Sequence, residues 1–104
     1  MFGWLRKAPQ DVFGTPRSGQ WPRVRREHLA VQPTCQACGR AKELEVHHVR
    51  PYHEHPELEL DPGNLITLCG DPCHIVHGHL MSWTRSNATV VQDCKTYRAK
   101  LENA

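Results

Sequence analysis

No apolar run approaches the roughly 18 residues that a membrane span requires. The opening Met1-Phe2-Gly3-Trp4-Leu5-Arg6-Lys7 lacks the apolar core and cleavage signal of a secretory leader. Aromatic residues are scarce at 7% and hydrophobic residues reach only 38%, so the core that 104 residues can build is thin. Small chains with thin cores are commonly cross-linked by a metal or by disulfides. The cysteines number five, whereas a secreted disulfide framework favours an even count. Reduced thiols in a cytoplasm are therefore expected, and the membrane and secreted classes drop out. Nor does one sign of charge dominate: 13 Lys and Arg stand against 11 Asp and Glu, a net of +2. What is abundant is metal-ligand chemistry, with eight histidines beside the five cysteines. The length suits one domain without a second core.

Charge is unevenly placed along the chain. Arg6, Lys7, Arg17, Arg23, Arg25 and Arg26 outweigh Asp11 and Glu27 in residues 1–34 by +4. Residues 35–79 carry −4, and residues 80–104 carry +2. Basic flanks around an acidic, His- and Cys-rich centre suit a polyanion gripped at the sides and divalent cations held in the middle.

Residues 1–20, punctuated by Gly3, Pro9, Gly14, Pro16 and Gly19, read as a mobile basic arm. Residues 21–104 form one domain. Pro22 suits the first turn of a helix over 21–32, in which Trp21, Val24, His28 and Leu29 share a stripe and Pro33 is the stop. Arg23, Arg26 and Gln32 lie off that stripe, with Arg25 at its edge. Leu44–His47 alternates apolar and polar residues as a short strand, and Leu65–Leu68 follows as a second, antiparallel to the first. Between them, Pro51, Pro56 and Pro62 make 50–63 an irregular loop that ends in the turn Asp61-Pro62-Gly63-Asn64. A short helix is expected over 73–79. A last helix, about 88–101, carries Val90, Cys94, Tyr97 and Leu101 on one side with Asn87 as its N-cap.

Cys35-x2-Cys38 lies 30 residues before Cys69-x3-Cys73. Two close-spaced pairs let two turns offer four thiolates to one ion, which closes a tetrahedral zinc shell. A closed shell has no open position, so such a zinc is structural and staples the thin core. Cys94 falls on the apolar stripe of the last helix, where free cysteine behaves as a small hydrophobe. His47 and His48 end the first strand and must point to opposite faces. Asn64 opens the second strand, and His74 follows the fourth cysteine directly. His28, His53 and His55 read as surface or stripe histidines.

The run from Cys35 to His79, with Leu44-Glu-Val-His-His48, Pro51, Asn64-Leu-Ile-Thr-Leu-Cys69 and Cys73-His74, resembles the HNH endonuclease family. Within it, the chain is similar to small phage-encoded members that add a four-cysteine zinc knuckle. The resemblance implies an α+β fold: a small ββα-metal (His-Me finger) domain, its core over 35–81, with flanking helices and a structural zinc site. It implies a metal-dependent DNA endonuclease that nicks or cuts duplex DNA in phage or prophage DNA processing. His48 matches the general base that deprotonates a water, Asn64 the residue that fixes the His-bearing loop, and His74 a ligand of the catalytic divalent metal. His47 sits where the family has its other chief ligand. For the third ligand, helix geometry favours His77, three residues after His74. The Cys-His-x-x-x-Gly-His run is instead similar to phage members in which the His after Gly recurs, and this favours His79. Of the two, His79 is the expected third ligand, with His77 as the alternative.

The expected cofactors are structural Zn²⁺ and a catalytic Mg²⁺, Mn²⁺, Ni²⁺ or Zn²⁺. The expected partner is DNA, gripped at its phosphates by Arg23, Arg25, Arg26 and Arg50. A terminase or other packaging protein is a further candidate partner, and the chain is expected to be a monomer or weak dimer. The competing class is a zinc-knuckle nucleic-acid-binding module without catalysis. That class gives no reason for His48, Asn64 and His74 to coexist at this spacing.

Overall fold

The structure, a computed structural model, describes residues 17–104. Residues 1–16 of the expected arm lie outside the described residues. Pro22 opens α1 (Trp21–Val31), where its fixed φ fits a first turn and its missing N–H leaves no bond unmade. Trp21 and Val24 are buried, and Leu29 packs beside them. Gln32 departs from the expected outward orientation. Its Oε1 accepts from the Thr67 N–H at 2.6 Å, and its carbonyl accepts from the Thr67 hydroxyl at 2.8 Å. A two-stranded sheet leaves the outer edge of its second strand unpaired, and here that edge is buried. The Gln32 amide therefore takes the place of a third strand, and the Gln36 N–H donates to the Thr67 carbonyl beside it.

The hairpin of β1 (Leu44–His48) and β2 (Leu65–Cys69) is antiparallel, with Leu44 opposite Cys69 and His48 opposite Leu65. Every residue of β2 is buried, because both faces of the hairpin are covered. Leu65 and Val46 pack with Trp21 and Val24 of α1. Ile66 and Leu68 pack with Cys35, Cys69, Cys73, Val90 and Cys94. The connecting loop contains two single 3₁₀ turns, Pro56–Leu58 and Pro62–Asn64. The Asp61 carboxylate caps the second by accepting from the Gly63 N–H at 2.9 Å.

After the fourth cysteine the expected short helix forms as a π-helical turn, His74–Gly78. The last helix, α2, spans Val90–Glu102 and follows Thr89, so Asn87 is not its N-cap. Asn87 is instead a buried bridge. It donates to the His77 carbonyl at 2.9 Å and to Asp93 at 2.8 Å, and it accepts from the Thr89 N–H. A side chain that serves both the π-turn and α2 must sit upstream of the helix itself. Of the expected stripe on α2, Val90 and Cys94 are buried, whereas Tyr97 and Leu101 are exposed. Among the described residues no helix is long and apolar enough to cross a membrane.

Candidate active site

The cysteine pairs come from the turn before β1 (Cys35, Cys38) and from the end of β2 and the residue before the π-turn (Cys69, Cys73). Their four sulfurs lie within 4.8 Å of one another. The first turn is tight: the Cys38 N–H reaches the Cys35 sulfur at 3.4 Å, and the Gly39 N–H donates to the Cys35 carbonyl at 2.9 Å. Gly39 has φ +86°, a left-handed backbone conformation that favours glycine. Hydrogen bonds from Cys69 and Cys73 hold the Cys35 thiol far below the usual thiol range. The shared proton with Cys35, together with burial, pushes Cys69 up to about 11 and Cys73 further still. One thiolate forms readily and each further one is opposed, a frustration that a bound dication relieves. Cys94 is buried apart from this group in the core. Burial, aided by the Cys35 charge, pushes its thiol up to about 12.

A second group gathers on the other side of the hairpin. His47 from β1, His74 from the start of the π-turn and His79 from just beyond it bring one nitrogen each within 4.8 Å of the others. His47 Nδ1 lies 3.1 Å from His74 Nε2. His74 Nδ1 donates to the Glu45 carboxylate at 3.0 Å, and His79 Nδ1 donates to the Arg85 carbonyl at 2.6 Å. These outer bonds leave the ε nitrogens of His74 and His79 turned inward, the arrangement typical of metal-ligating imidazoles. His47 Nε2 is buried with no hydrogen-bond partner. Burial, reinforced by the neighbouring His74, holds His47 well below the ordinary imidazole range and His79 down at about 4. Their lone pairs are therefore available at neutral pH. A buried orphan nitrogen within a set of three imidazoles backed by a carboxylate fits a divalent cation.

The π-turn explains which histidine joins. In an i→i+5 pattern the residue five along returns to the same side, which brings His79 back over His74. His77, favoured by α-helical spacing, turns away and packs on the Tyr97 ring at 4.8 Å. Gly78 makes the approach possible, since a Cβ there would lie 3.0 Å from two atoms of the His47 ring. Trp83 closes the group edge-on, 5.2 Å from the His74 ring and 4.9 Å from that of His79.

His48 points to the opposite face, as strand alternation requires. It is buried between the rings of Trp21, at 4.7 Å, and Tyr52, at 5.3 Å. Its Nε2 lies 2.8 Å from the Glu59 carbonyl. A carbonyl only accepts, so Nε2 carries the proton and Nδ1 carries the lone pair. Burial is the main cause that pushes its pKa down to about 4, and the Arg17 charge adds to it. Asn64 is buried at the end of the second 3₁₀ turn and clamps the chain just past His48. Its amide donates to the carbonyls of Arg50 (3.0 Å) and Leu58 (3.3 Å) and accepts from the Arg50 N–H at 2.9 Å.

The four candidate phosphate contacts are placed differently. Arg23 is exposed but engaged with Glu27 and Gln20, each at 3.1 Å. Arg25 is half-buried and donates to the Leu44 carbonyl at 3.2 Å. Arg26 and Arg50 are exposed. His28 pairs with Gln32, and His53 and His55 lie near Glu54 and Glu57. Sequence reasoning missed Glu45 and Trp83. Glu45 had a signal, since it is two residues before His47 and so shares its face of β1.

Residues 35–79 match the family model described as HNH endonuclease, and that stretch contains both ligand clusters, His48 and Asn64. Its antiparallel hairpin and following helical turn, within a small α+β chain, are consistent with the ββα-metal fold of that family. No curated protein and no solved structure matches the chain.

Proposed function

We propose that this protein is a metal-dependent DNA endonuclease that hydrolyses phosphodiester bonds. The observation that carries the proposal is the division of labour at the end of β1. His47 belongs to a buried three-imidazole cluster, and His48, on the opposite face, has its Nε2 tied to a carbonyl so that Nδ1 holds a lone pair. A metal ligand and a base at adjacent positions at the end of one strand, each with its own nitrogen lone pair, supply the two functions that water activation next to a cation needs.

In this reading His48 Nδ1 takes a proton from the water that attacks phosphorus, and the bond to the 3′ oxygen breaks, leaving 5′-phosphate and 3′-hydroxyl ends. The Glu59 carbonyl keeps the ring in the right tautomer and stabilises the imidazolium that forms. Asn64 is a positioning residue: it fixes the backbone at Arg50 and Leu58 and so aims His48. His47, His74 and His79 hold the catalytic divalent ion, with Glu45 orienting His74. The chemistry supplied there by a bound ion is charge stabilisation of the phosphate and the leaving oxygen. Cys35, Cys38, Cys69 and Cys73 hold a structural zinc that locks the hairpin to the π-turn. Arg26 and Arg50 are the phosphate contacts best placed to reach DNA, and a phage or prophage DNA-processing role, with a packaging protein as partner, fits the small size.

The test is incubation of supercoiled plasmid with purified protein in EDTA and then with Mg²⁺, Mn²⁺, Ni²⁺ or Zn²⁺, beside His48→Ala. Nicking that needs metal and is lost in the variant, while DNA affinity is kept, supports the nuclease. Folded, zinc-loaded protein that binds DNA but does not cleave it with any of these metals supports the binding-module reading instead.

A further inference from the structure

Arg17 lies just ahead of α1. Its guanidinium carbon is 4.9 Å from the centre of the Trp21 ring and 5.0 Å from that of Tyr52. The same two rings flank His48. A cation stacked on two aromatic faces and the imidazole between those faces therefore form one patch drawn from three segments of chain. One guanidinium nitrogen, Nη1, is buried without a hydrogen-bond partner. Other arginines near the fold's surface are committed: Arg23 to Glu27, Arg25 to the Leu44 carbonyl, Arg40 to the Asp71 carbonyl and Arg98 to Glu102. The nearby Glu59 carboxylate accepts from the Ser18 N–H at 2.9 Å, and among the described residues no carboxylate pairs with Arg17.

A stacked guanidinium is held in plane by its rings, and its fork of N–H groups matches two oxygens of a phosphate. We infer that Arg17 holds the phosphate that undergoes attack, binding its non-bridging oxygens beside His48. Trp21 touches both Arg17 and His48, so one side chain sets the spacing between the anion's holder and the base. This role rests on the nuclease reading. It differs from that of a surface arginine such as Arg26, which grips the backbone away from the reacting bond and acts on affinity alone.

The test compares plasmid cleavage by the full chain as wild type, Arg17→Gln, Arg17→Lys and His48→Ala, each checked for zinc content and circular dichroism. Glutamine keeps a planar head on the rings without the charge. Arg17→Gln is expected to lower kcat roughly 100-fold with KM within about threefold of wild type. Arg17→Lys, charged but not forked, is expected to fall between. Added guanidinium ion is expected to restore part of the Arg17→Gln rate and none of the His48→Ala rate. Should Arg17→Gln lose its zinc or fold, Arg17→Lys decides on the same split of kcat and KM. A kcat within twofold of wild type, or a loss carried by KM alone, overturns the inference while leaving the nuclease reading intact. A wild type that fails to cleave with any of the metals overturns both.

Discussion

Replacing Gly78 by Ala isolates the histidine cluster from everything else in the fold. The new Cβ would stand 3.0 Å from His47 Cε1 and Nδ1 and 3.2 Å from Cγ. Carbon contacts are comfortable at about 3.5–4.0 Å, so the ring must retreat by about 0.5 Å. It has little room to do so, being buried, bonded to His74 at 3.1 Å and edge-on to His79 at 4.7 Å. Overpacking of this kind costs about 1–3 kcal/mol, against about 0.4–1 kcal/mol gained from a less flexible unfolded chain. Net stability should therefore fall by about 1 kcal/mol, while a metal site at the three histidines, which would tolerate shifts of about 0.2 Å, should be spoiled. Affinity for a divalent ion should fall roughly 10- to 100-fold, the scale expected when a ligand is misoriented. Quenching of Trp83 fluorescence by Ni²⁺ reads this directly, with Trp83→Phe as the signal control. Gly19→Ala, which would add a Cβ into open space, serves as the neutral control. Wild-type Ni²⁺ affinity in a folded Gly78→Ala protein would refute the reasoning.

Further consequences follow from individual side chains. Glu45→Gln removes the charge that His74 Nδ1 donates to, and Ni²⁺ affinity should drop about tenfold; an unchanged isotherm would mean that the carboxylate is idle. His48 and His79 both fall from the ordinary 6.5 to about 4 in the folded chain, so between those values the unfolded chain binds more protons. Stability should be full above pH 6.5 and decline as pH drops through that window, by about 1 kcal/mol for each residue at pH 5.5 relative to pH 7.5. Urea midpoints of wild type, His48→Asn and His79→Asn measure this, and an unchanged wild-type midpoint would contradict it. Cys94, 1% exposed and with its thiol at about 12, should resist iodoacetamide at pH 8 in the zinc-loaded protein and react once urea is added. Rapid native labelling would place it outside the core.

Much of this architecture is legible in the residues themselves. Each cysteine pair is short-range turn chemistry, and the hairpin register, with Leu44 opposite Cys69, brings the two pairs to one point. The opposition of His47 and His48 follows from strand alternation, and Asp61-Pro62-Gly63-Asn64 declares its turn. The elements that escaped prediction depend on tertiary context. Whether His74–Gly78 winds as an α- or a π-turn is decided by what the turn packs against, so His77 and His79 could not be separated by periodicity. Gln32 is polar and off the helix stripe, yet the buried edge of β2 needs its amide. Asn87 carries the signature of a cap, but the groups it satisfies belong to two elements. Tyr97 and Leu101 keep perfect helical spacing past the point where the core ends.

The central claim is that His48 and the His47–His74–His79 group do different jobs from opposite faces of one strand. The most direct test is the nicking rate of supercoiled plasmid by wild type and His48→Ala at matched divalent-ion occupancy, with the ion bound to each measured separately. The account predicts that His48→Ala binds the ion as wild type does and nicks at least about 100-fold more slowly. Equal nicking rates at equal occupancy would contradict it.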